Sequence, residues 1–523
     1  METFMSNSNE ETKADLDRRG FIKSATALGL AAASTPFLNM LCVKNVFAAE
    51  SKCRVMMSPT LKITPPYSSG GSVQNVFSMI YDTIVRLEGA DQKLTLCLAE
   101  SYETNADKSQ WTFKLKENVK FHHGTAMTAE DIIFTVERWQ NPALGGPMCA
   151  ASAGIEKVVS DGKFKVIFNL KQPDPNFLYK LLEYNAAILA HDYDYEKNGN
   201  TKPSGTGAFK VTTLVPGQRI VMVKNSDYFI PGLPKVDNME VIFVSESQTQ
   251  LLALEAGQVD IVRWVGFDSA LRYKNHPKIN LYTVNCSNHP NFYMGCDKPP
   301  FNDVRVRQAV KHCVNRKNML GAAAYGYGNI GNDSPVWPES DLYTDIGFPE
   351  YSIEKAKKLL AEAGYEKGFD VDCYVPSNHP PLLDVALTMQ QMLKPAGINL
   401  QIQGVTRDIY YARYWLKVNC GITNWAHREN PIDLMNLSLR TGAAWNESKF
   451  DSPELNALLD QASVEADEKK AKKIIAKIEK LLMEQGPSVV PFFYPVFTAT
   501  GKNVKNYYPM RNMSNDYRYI EMA

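Results

Sequence analysis

The run from Leu98 to Arg138 combines, in order, the patterns of a short strand, a β-hairpin, a turn and a capped helix. Apolar residues alternate with polar ones in its hairpin, a period of two that is typical of a half-buried strand: Trp111, Phe113 and Leu115. Thr128 stands three residues before Asp131, the spacing of a helix N-cap with an acidic first turn. Apolar residues then follow at helical spacing: Ile132, Ile133, Val136 and Trp139.

The first 48 residues have the form of an export signal. Asp17–Lys23 contains a pair of arginines followed by Gly and Phe, as in a twin-arginine motif, and a weakly apolar stretch runs from Ala25 to Leu41. That stretch is too short and too polar for a bilayer span of about 20 apolar residues. Small residues at Val46 and Ala48 predict cleavage after Ala48. The alternatives are a chance arginine pair before a retained anchor and, less favoured because Leu41 is bulky, a lipoprotein anchored at Cys42.

Charge and length exclude several classes of protein. The chain carries 57 basic and 57 acidic residues, so its formal charge is zero. No basic surplus attracts nucleic acid or anionic lipid, and no later segment is long and apolar enough to span a membrane. A chain of 523 residues exceeds one ordinary hydrophobic core, so we expect two or three lobes.

The cysteines after residue 48 show no CxxC spacing, which argues against zinc and dithiol redox motifs. An oxidising compartment would allow some of them to pair, but the pairing cannot be deduced from sequence. We expect most of them to be buried free thiols: Cys53, Cys97, Cys149, Cys286, Cys296, Cys313, Cys373 and Cys420.

Further blocks follow along the chain. The residues from 203 to 211 predict a glycine turn that enters a strand, and Pro299–Asn315 predicts a loop followed by a helix. Other helices are predicted at Val76–Leu87, from Ser352 to Ala363, from Ser452 onward and at Glu468–Gln485. Strands are predicted at Arg54–Met57, Lys163–Leu170, Arg219–Lys224, Met239–Val244 and Val489–Phe497.

These blocks, in this order, resemble the family 5 extracellular solute-binding proteins, the peptide, nickel and opine group of ABC importers; His123 departs from the family's usual Asp. The resemblance implies an α/β, bilobal periplasmic-binding-protein fold of type II, in the large cluster C form, with an extra subdomain in the first lobe. Tyr293–Cys296 and Val489–Phe497 would be the hinge strands. The implied division is a signal peptide at 1–48, lobe I at 49–91, subdomain Ib at 92–202, lobe I again at 203–296, lobe II at 297–489 and a return to lobe I at 490–523.

The resemblance also indicates where a ligand would bind. Peptide-binding members place a carboxylate four residues before a proline, in a loop that contains tryptophan, where it pairs with the ligand's ammonium group. Here that position, four residues before Pro431, is His427, and Arg428 follows it. Imidazole and guanidinium groups suit a carboxylate or phosphate better, so one hypothesis is a solute with an anionic group held by Arg428. The alternative is that both side chains point away and Glu429 binds the solute.

Large aromatic side chains near this loop complete the candidate ligand site. Trp425 and Trp445 are expected to face the cleft, with Asn446 beside them and Tyr67 opposite in the first lobe. The other aromatics of this region are expected in the lobe core: Tyr410, Tyr411, Tyr414 and Trp415. No catalytic residue, cofactor site or metal site is predicted, because the chain lacks a GxSxG elbow, an HExxH motif and a phosphate-binding loop. Adjacent His122 and His123 would point to opposite faces of a strand.

The resemblance implies a periplasmic protein that captures a peptide-like or related small solute and delivers it to a membrane permease and its ATPase. It would touch the membrane only through that transporter, would bind no nucleic acid, would act as a monomer and would not be an enzyme. The alternatives are a periplasmic hydrolase or peptidase and a ligand-presenting sensor with the same fold. The solute itself stays open, because one fold serves many ligands.

Overall fold

Three large sheets, of seven, five and four strands, organise the protein in this computed structural model, which describes residues 50–59, 71–144, 148–379 and 381–523. The predicted signal peptide and Tyr67 lie outside the described residues. In the part of the chain that is described, no helix is long and apolar enough to cross a membrane. Three two-stranded pairs add to the large sheets: Val85–Glu88 with Lys93–Leu96, Asn329–Ile330 with Phe492–Phe493, and Val504–Lys505 with Glu521–Met522.

The seven-stranded sheet is built around Lys52–Met57, which pairs in parallel with Asn238–Phe243 on one side and Ile261–Val265 on the other. Four of its six residues are buried, as expected for a central strand covered on both faces. The strand Val496–Gly501 returns from far along the chain and pairs with two neighbours. The strand order is Ile279–Val284, Val496–Gly501, Ile261–Val265, Lys52–Met57, Asn238–Phe243, Arg219–Lys224 and Phe209–Val215.

The four-stranded sheet confirms the predicted hairpin. Ala99–Thr104 and Gln110–Leu115 pair antiparallel, and Trp111, Phe113 and Leu115 are buried. The helix Ala129–Gln140 then begins after Thr128, whose backbone N–H donates to the Asp131 carboxylate at 2.7 Å. The strand order is Ala99–Thr104, Gln110–Leu115, Lys165–Leu170 and Ile155–Ser160.

The five-stranded sheet has the order Ile398–Val405, Phe369–Pro376, Cys420–Trp425, His289–Met294 and Ser488–Val489. Helices cover this sheet and extend the lobe that contains it. They are Val304–His312, Arg316–Ala324, Ile353–Glu362, Leu382–Leu393, Arg407–Ile409, Pro431–Ser438, Pro453–Val464 and Glu468–Gln485, with a 3-10 turn at Lys394–Ala396 and a π-helical turn at Tyr410–Tyr414. The predicted helix Glu468–Gln485 has the observed bounds.

The remaining helices lie among the strands of the other two large sheets. They are Gly71–Ile80, Met148–Ala151, Phe177–Lys180, Tyr195–Asn198, Ser247–Glu255 and Phe267–Tyr273, with 3-10 turns at Pro142–Leu144 and Tyr184–Ala186. In one hydrophobic core, buried side chains from the range Cys53–Ile261 pack with buried side chains from the range Val504–Ile520. A second core joins Val336 with residues of Ile432–Leu482. The protein is therefore bilobal, while the exact residues at which the chain divides stay a prediction.

Two predicted elements are wrong in extent. The helix predicted at Val76–Leu87 ends at Ile80, because the Ile80 carbonyl accepts the N–H of Gly207 at 2.9 Å and residues 85–88 form a strand. The strand predicted at Val489–Phe497 is three short strands, because Pro491 and Pro495 lack the N–H that a continuous ladder needs.

Two crossing segments join the lobes. The chain passes from Ile279–Val284 in the seven-stranded sheet to His289–Met294 in the five-stranded sheet. The strand that follows this crossing begins four residues earlier than the hinge strand predicted at Tyr293–Cys296. The chain returns between Ser488–Val489 and Val496–Gly501. The two crossings are tied to each other, since the Tyr494 N–H donates to the Asn288 carbonyl at 2.9 Å.

The eight cysteines of the described residues carry free thiols, six of them buried.

Candidate functional site

The candidate site centres on the loop of residues 426–430, which connects the strand Cys420–Trp425 to the helix Pro431–Ser438. Asn430 caps that helix by accepting the N–H of Ile432 at 3.0 Å, and Pro431 occupies its first turn, where a missing N–H costs nothing. The loop is thus held at both ends by regular structure, and its three central side chains have fixed directions.

His427 is buried against the crossing segment instead of facing an open cleft. The Ser287 backbone N–H donates to Nδ1 of His427 at 2.9 Å, and the His427 N–H donates to Oδ1 of Asn288 at 2.7 Å. Because a backbone N–H can only donate, Nδ1 must be the acceptor and Nε2 carries the proton. Nε2 therefore donates to Oε1 of Glu429 at 3.0 Å. His427 fastens the loop to the hinge.

Arg428 reaches across to the first core. Its guanidinium forms an ion pair with Glu183, which precedes the short turn Tyr184–Ala186. The negative charge of Glu183 is the main cause that raises the pKa of Arg428 above its ordinary value. The Arg428 N–H also donates to Oγ of Ser287 at 3.2 Å, so the loop is fixed on both sides.

Glu429 forms a second ion pair between the 426–430 loop and the first lobe. Nε of Arg511 lies 2.9 and 3.0 Å from its two carboxylate oxygens, and the Arg511 N–H donates to Gln92 at 2.7 Å. Burial alone would raise the pKa of Glu429, but hydrogen bonds from His427 and Arg511 outweigh it and hold that pKa below its ordinary value. Adjacent residues of one loop therefore bind two separate segments of the other lobe.

Trp425 and Trp445, two of the predicted ligand contacts, lie together with ring centroids 6.0 Å apart. Trp425 is 9% exposed and Trp445 is half-buried. Asn446 is buried, and its amide makes four hydrogen bonds within its own loop, two with Phe450 and one each with Arg440 and Ser448. Asn446 therefore shapes the turn that presents Trp445.

The remaining aromatics divide between core and surface. Tyr410 is fully buried, with its hydroxyl 3.1 Å from that of Tyr293, and Tyr414 stacks on Tyr374 with centroids 4.4 Å apart. Tyr411, Tyr414 and Trp415 were predicted in the core but are half-buried, and Trp415 packs edge-on against Trp445 at 5.7 Å. Trp415 thus extends the Trp425 and Trp445 pair, which sequence reasoning did not anticipate.

Sequence reasoning also missed Glu447, whose buried carboxylate accepts hydrogen bonds from both Trp415 and Trp425. It missed Glu183 and Arg511 as well, the partners of the 426–430 loop. Nothing in the local pattern marks these residues, because their partners lie from 22 to 245 residues away in the chain.

Among the described residues, no group of three or more His, Cys, Asp or Glu side chains could hold a metal ion. The adjacent histidines of the first lobe are engaged elsewhere. Nε2 of His122 donates to the Gly207 carbonyl at 2.9 Å, while His123 lies 2.7 Å from Ser204 and 3.1 Å from Asp192. Burial lowers the pKa of His122 to about 4. Both rings tie the hairpin region to the glycine turn.

The family model of bacterial extracellular solute-binding proteins, family 5 Middle, matches residues 93–449. The chain belongs to this family. As a family 5 solute-binding protein, it is the solute-binding component of an ABC importer. The match spans the 426–430 loop and both tryptophans of the pair Trp425 and Trp445.

Two relatives and one solved structure show the extent of the likeness. The glutathione-binding protein GsiB of Escherichia coli strain K12 is 25% identical over 500 residues, which is 92% of this chain and 95% of GsiB. Heme-binding protein A of Haemophilus influenzae is 26% identical over 500 residues, 87% of this chain and 88% of the relative. These relatives are named as solute-binding proteins and not as enzymes.

The solved structure is the periplasmic binding protein DppA of Helicobacter pylori in complex with the peptide STSA. It is 22% identical, covers 90% of this chain and 98% of DppA, and has a TM-score of 0.80. This likeness confirms the predicted fold class: a bilobal, type II periplasmic-binding-protein fold.

Proposed function

We propose that this family 5 protein binds a small peptide-like solute with an anionic group between its lobes and delivers it to the permease and ATPase of its importer. The observation that carries the proposal is the 426–430 loop, which belongs to one lobe and binds the other through Arg428 and Glu429. A solute held between the lobes has to compete with, or add to, these contacts.

The anionic group is inferred from Arg428. Its present partner, Glu183, is a carboxylate, and both side chains keep more than a quarter of their surface exposed, at 29% and 28%. A solute carboxylate that enters the cleft can replace the Glu183 carboxylate on the same guanidinium with similar geometry. We also propose Tyr67, which lies outside the described residues, as a solute contact.

The peptide-like nature of the solute is supported by what the relatives bind. GsiB is named for glutathione, and the DppA structure holds the peptide STSA. Heme-binding protein A is named for a different class of solute, so a test must cover more than peptides.

The sequence of the N-terminal segment supports a place of action outside the cytoplasm. The Arg18-Arg19 pair and the small residues before Ala48 support export by the twin-arginine pathway and cleavage after Ala48. We propose that the mature protein works in the periplasm as a monomer, without a cofactor. The free thiols and buried cores of residues 51–523 suit a chain that folds before export.

A thermal-shift screen of residues 49–523 tests the function. The panel comprises di- and oligopeptides, glutathione, opines, metal chelates, heme and acidic sugars. A solute at about 100 times its dissociation constant should stabilise the protein by roughly 2.7 kcal/mol. Recovery of a stabilising peptide in unchanged form supports the proposal. Consumption of that peptide during incubation, or stabilisation only by solutes that are not peptide-like, contradicts it.

A further inference from the structure

Three tryptophans from separate segments form one aromatic cluster in the lobe that holds the five-stranded sheet. Trp445 lies between the other two, with ring centroids 5.7 Å from Trp415 and 6.0 Å from Trp425. The planes meet at 65° and 41°, so the three rings form a bent wall and not a flat stack. We call Trp415, Trp425 and Trp445 the indole wall.

The carboxylate of Glu447 lies at the N–H edges of two members of the indole wall and holds both of them. Oε2 accepts the indole N–H of Trp415 at 2.6 Å, and Oε1 accepts that of Trp425 at 3.2 Å. Oε1 also accepts Nδ2 of Asn291 at 2.7 Å and the hydroxyl of Thr423 at 2.8 Å. One buried side chain, 3% exposed, therefore fixes the directions of two indoles that lie on different segments.

The hydrogen bonds favour the ionised form of Glu447. Amide and indole N–H groups can only donate, and each carboxylate oxygen of Glu447 accepts at least one of them, so a proton on either oxygen would compete with an existing hydrogen bond. Burial is the main cause that raises the pKa of Glu447, and its four hydrogen bonds oppose that effect. None of the ion pairs in the described part of the chain includes Glu447. The charge is thus balanced by neutral donors alone.

A buried anion at the edges of aromatic rings has a chemical consequence at their faces. Because the N–H groups of Trp415 and Trp425 point inward, the wall can offer its π faces to a solute, and tryptophan faces attract cations most strongly. The negative charge at the N–H edges of these rings adds to that attraction, because little water screens a buried carboxylate. Tyr411, whose ring centroid lies 5.4 Å from that of Trp415, already holds a cation, since the Arg407 guanidinium lies 5.8 Å from the Tyr411 centroid.

Glu447 itself is not within reach of a solute. The cavity beside it has a volume of about 20 Å³, enough for a single water molecule. It is lined by Trp425, His289 and Asn291 among others. Any effect of the carboxylate on a solute is therefore exerted through the rings that it holds.

We propose that Glu447 is a positioning and specificity residue, which orients the indole wall and makes it select solutes that carry an organic cation such as an ammonium or guanidinium group. The inference rests on the proposed function, since it names a second chemical feature of the same solute. Together with the anionic group at Arg428, it describes a zwitterion.

The test uses 5-fluorotryptophan-labelled mature protein, choline and its neutral isostere 3,3-dimethylbutan-1-ol. The ¹⁹F signals of the wall are assigned with single Trp→Phe variants. Choline should shift the Trp415 and Trp445 signals, with an affinity at least about tenfold above that of the neutral isostere. Equal affinities for choline and its neutral isostere would overturn the proposal. So would the absence of any ¹⁹F response to choline at about 50 mM, a concentration on the order of the dissociation constant of a weak cation–π contact.

Two substitutions separate charge from geometry. Glu447→Gln keeps the reach of the side chain but removes its charge, so the preference for choline over the neutral isostere should fall well below the wild-type value. Glu447→Asp keeps the charge but is too short for all four donors, so the ¹⁹F signals of Trp415 and Trp425 should move or broaden before any solute is added. Retention of the full preference in Glu447→Gln would contradict the role of the charge.

Glu479→Gln is the matched control, because Glu479 is another buried carboxylate of the same lobe and contacts Asn332 and Ser334 instead of tryptophan. It should leave the ¹⁹F signals and the choline preference unchanged. The comparison of choline with its isostere in the wild-type protein needs no variant to fold. It also needs no natural solute, so a failed peptide screen with a preserved choline preference would contradict only the proposed function.

Discussion

Arg428 and Glu183 form an ion pair across 245 residues of sequence, between a loop beside the five-stranded sheet and a turn that packs on the first core. The pair is partly exposed, so water and small anions can reach it. Because water and dissolved ions compete for both charges, an exposed ion pair of this kind contributes little to holding the lobes together. It is therefore a replaceable contact, suited to a protein whose lobes have to open and close.

Removing either partner of this pair should change solute affinity in opposite directions. Arg428→Ala removes the guanidinium that would hold the anionic group, so affinity for an anionic peptide should fall about tenfold or more. Glu183→Gln removes the competing carboxylate, so affinity for the same peptide should rise. Titration calorimetry with a peptide identified by the thermal-shift screen measures both changes.

Arg440→Ala serves as the control for these two variants. Arg440 also forms an arginine–carboxylate pair, with Asp460 at 2.7 Å, but within one lobe. It should leave the affinity within twofold of the wild-type value. If Arg428→Ala behaved like Arg440→Ala, the solute would not contact Arg428.

Truncating His427 should destabilise the protein. His427→Ala leaves the buried N–H of Ser287 without its acceptor and removes one donor to Glu429, at a cost of about 1–3 kcal/mol. His427→Asn restores an acceptor near the position of Nδ1 and should recover part of that loss. Urea unfolding with an unchanged m-value provides the measurement, and equal stability of the Ala and Asn variants would argue against the Ser287 contact.

Glu479 should make the stability of the protein depend on pH. Burial raises the pKa of Glu479 from 4.5 to about 7. The folded state thus holds this proton more tightly than the unfolded state, so its stabilising contribution is complete below pH 4.5 and is lost as the pH rises through 7. The loss amounts to about 3 kcal/mol at most.

The measurement is the free energy of unfolding between pH 4.5 and 8, for the wild type and for Glu479→Gln. The variant should show a smaller decline over this range, because it has no proton to lose at that position. Glu454→Gln, a change of an exposed carboxylate, should keep the wild-type profile. Parallel profiles for all three proteins would show that Glu479 titrates near its ordinary pKa.

Gly207 should not tolerate a side chain. A Cβ atom at this position would lie 2.4 Å from the Ile80 carbonyl carbon and 2.6 Å from its oxygen, which are backbone atoms that cannot move aside. Gly207→Ala should therefore lower the free energy of unfolding by at least about 2 kcal/mol. Gly154→Ala, where no atom lies within 4 Å of the new Cβ, should be nearly neutral; similar melting temperatures for both variants would contradict this packing.

Local patterns predicted the elements whose formation depends on neighbouring residues. The alternation around Trp111 and the Thr128 cap lead to the observed hairpin and helix, because strand and helix periods are local properties. The helix predicted through Leu87 failed for a non-local reason. Its end at Ile80 is set by the turn that contains Gly207, which lies more than a hundred residues later.

The candidate site was predicted as a set of residue types and not as a set of contacts. The sequence singled out the loop with His427 and Arg428, and both residues lie in the contact between the lobes. It did not show that Nδ1 of His427 is taken by the hinge, or that Glu447 holds two indoles, since those partners come from distant strands and loops. Whether these residues touch a solute stays a prediction.

The strand Val496–Gly501 lies between Ile261–Val265 and Ile279–Val284, although the whole five-stranded sheet is synthesised before it. During translation the first lobe is therefore a sheet with two open edges and a missing strand. Such edges pair readily with other chains. A chain that stops after Val489 would contain every residue of the five-stranded sheet, yet it should aggregate through the incomplete seven-stranded sheet. Chaperones should therefore bind mainly to nascent chains that have not yet reached Val496.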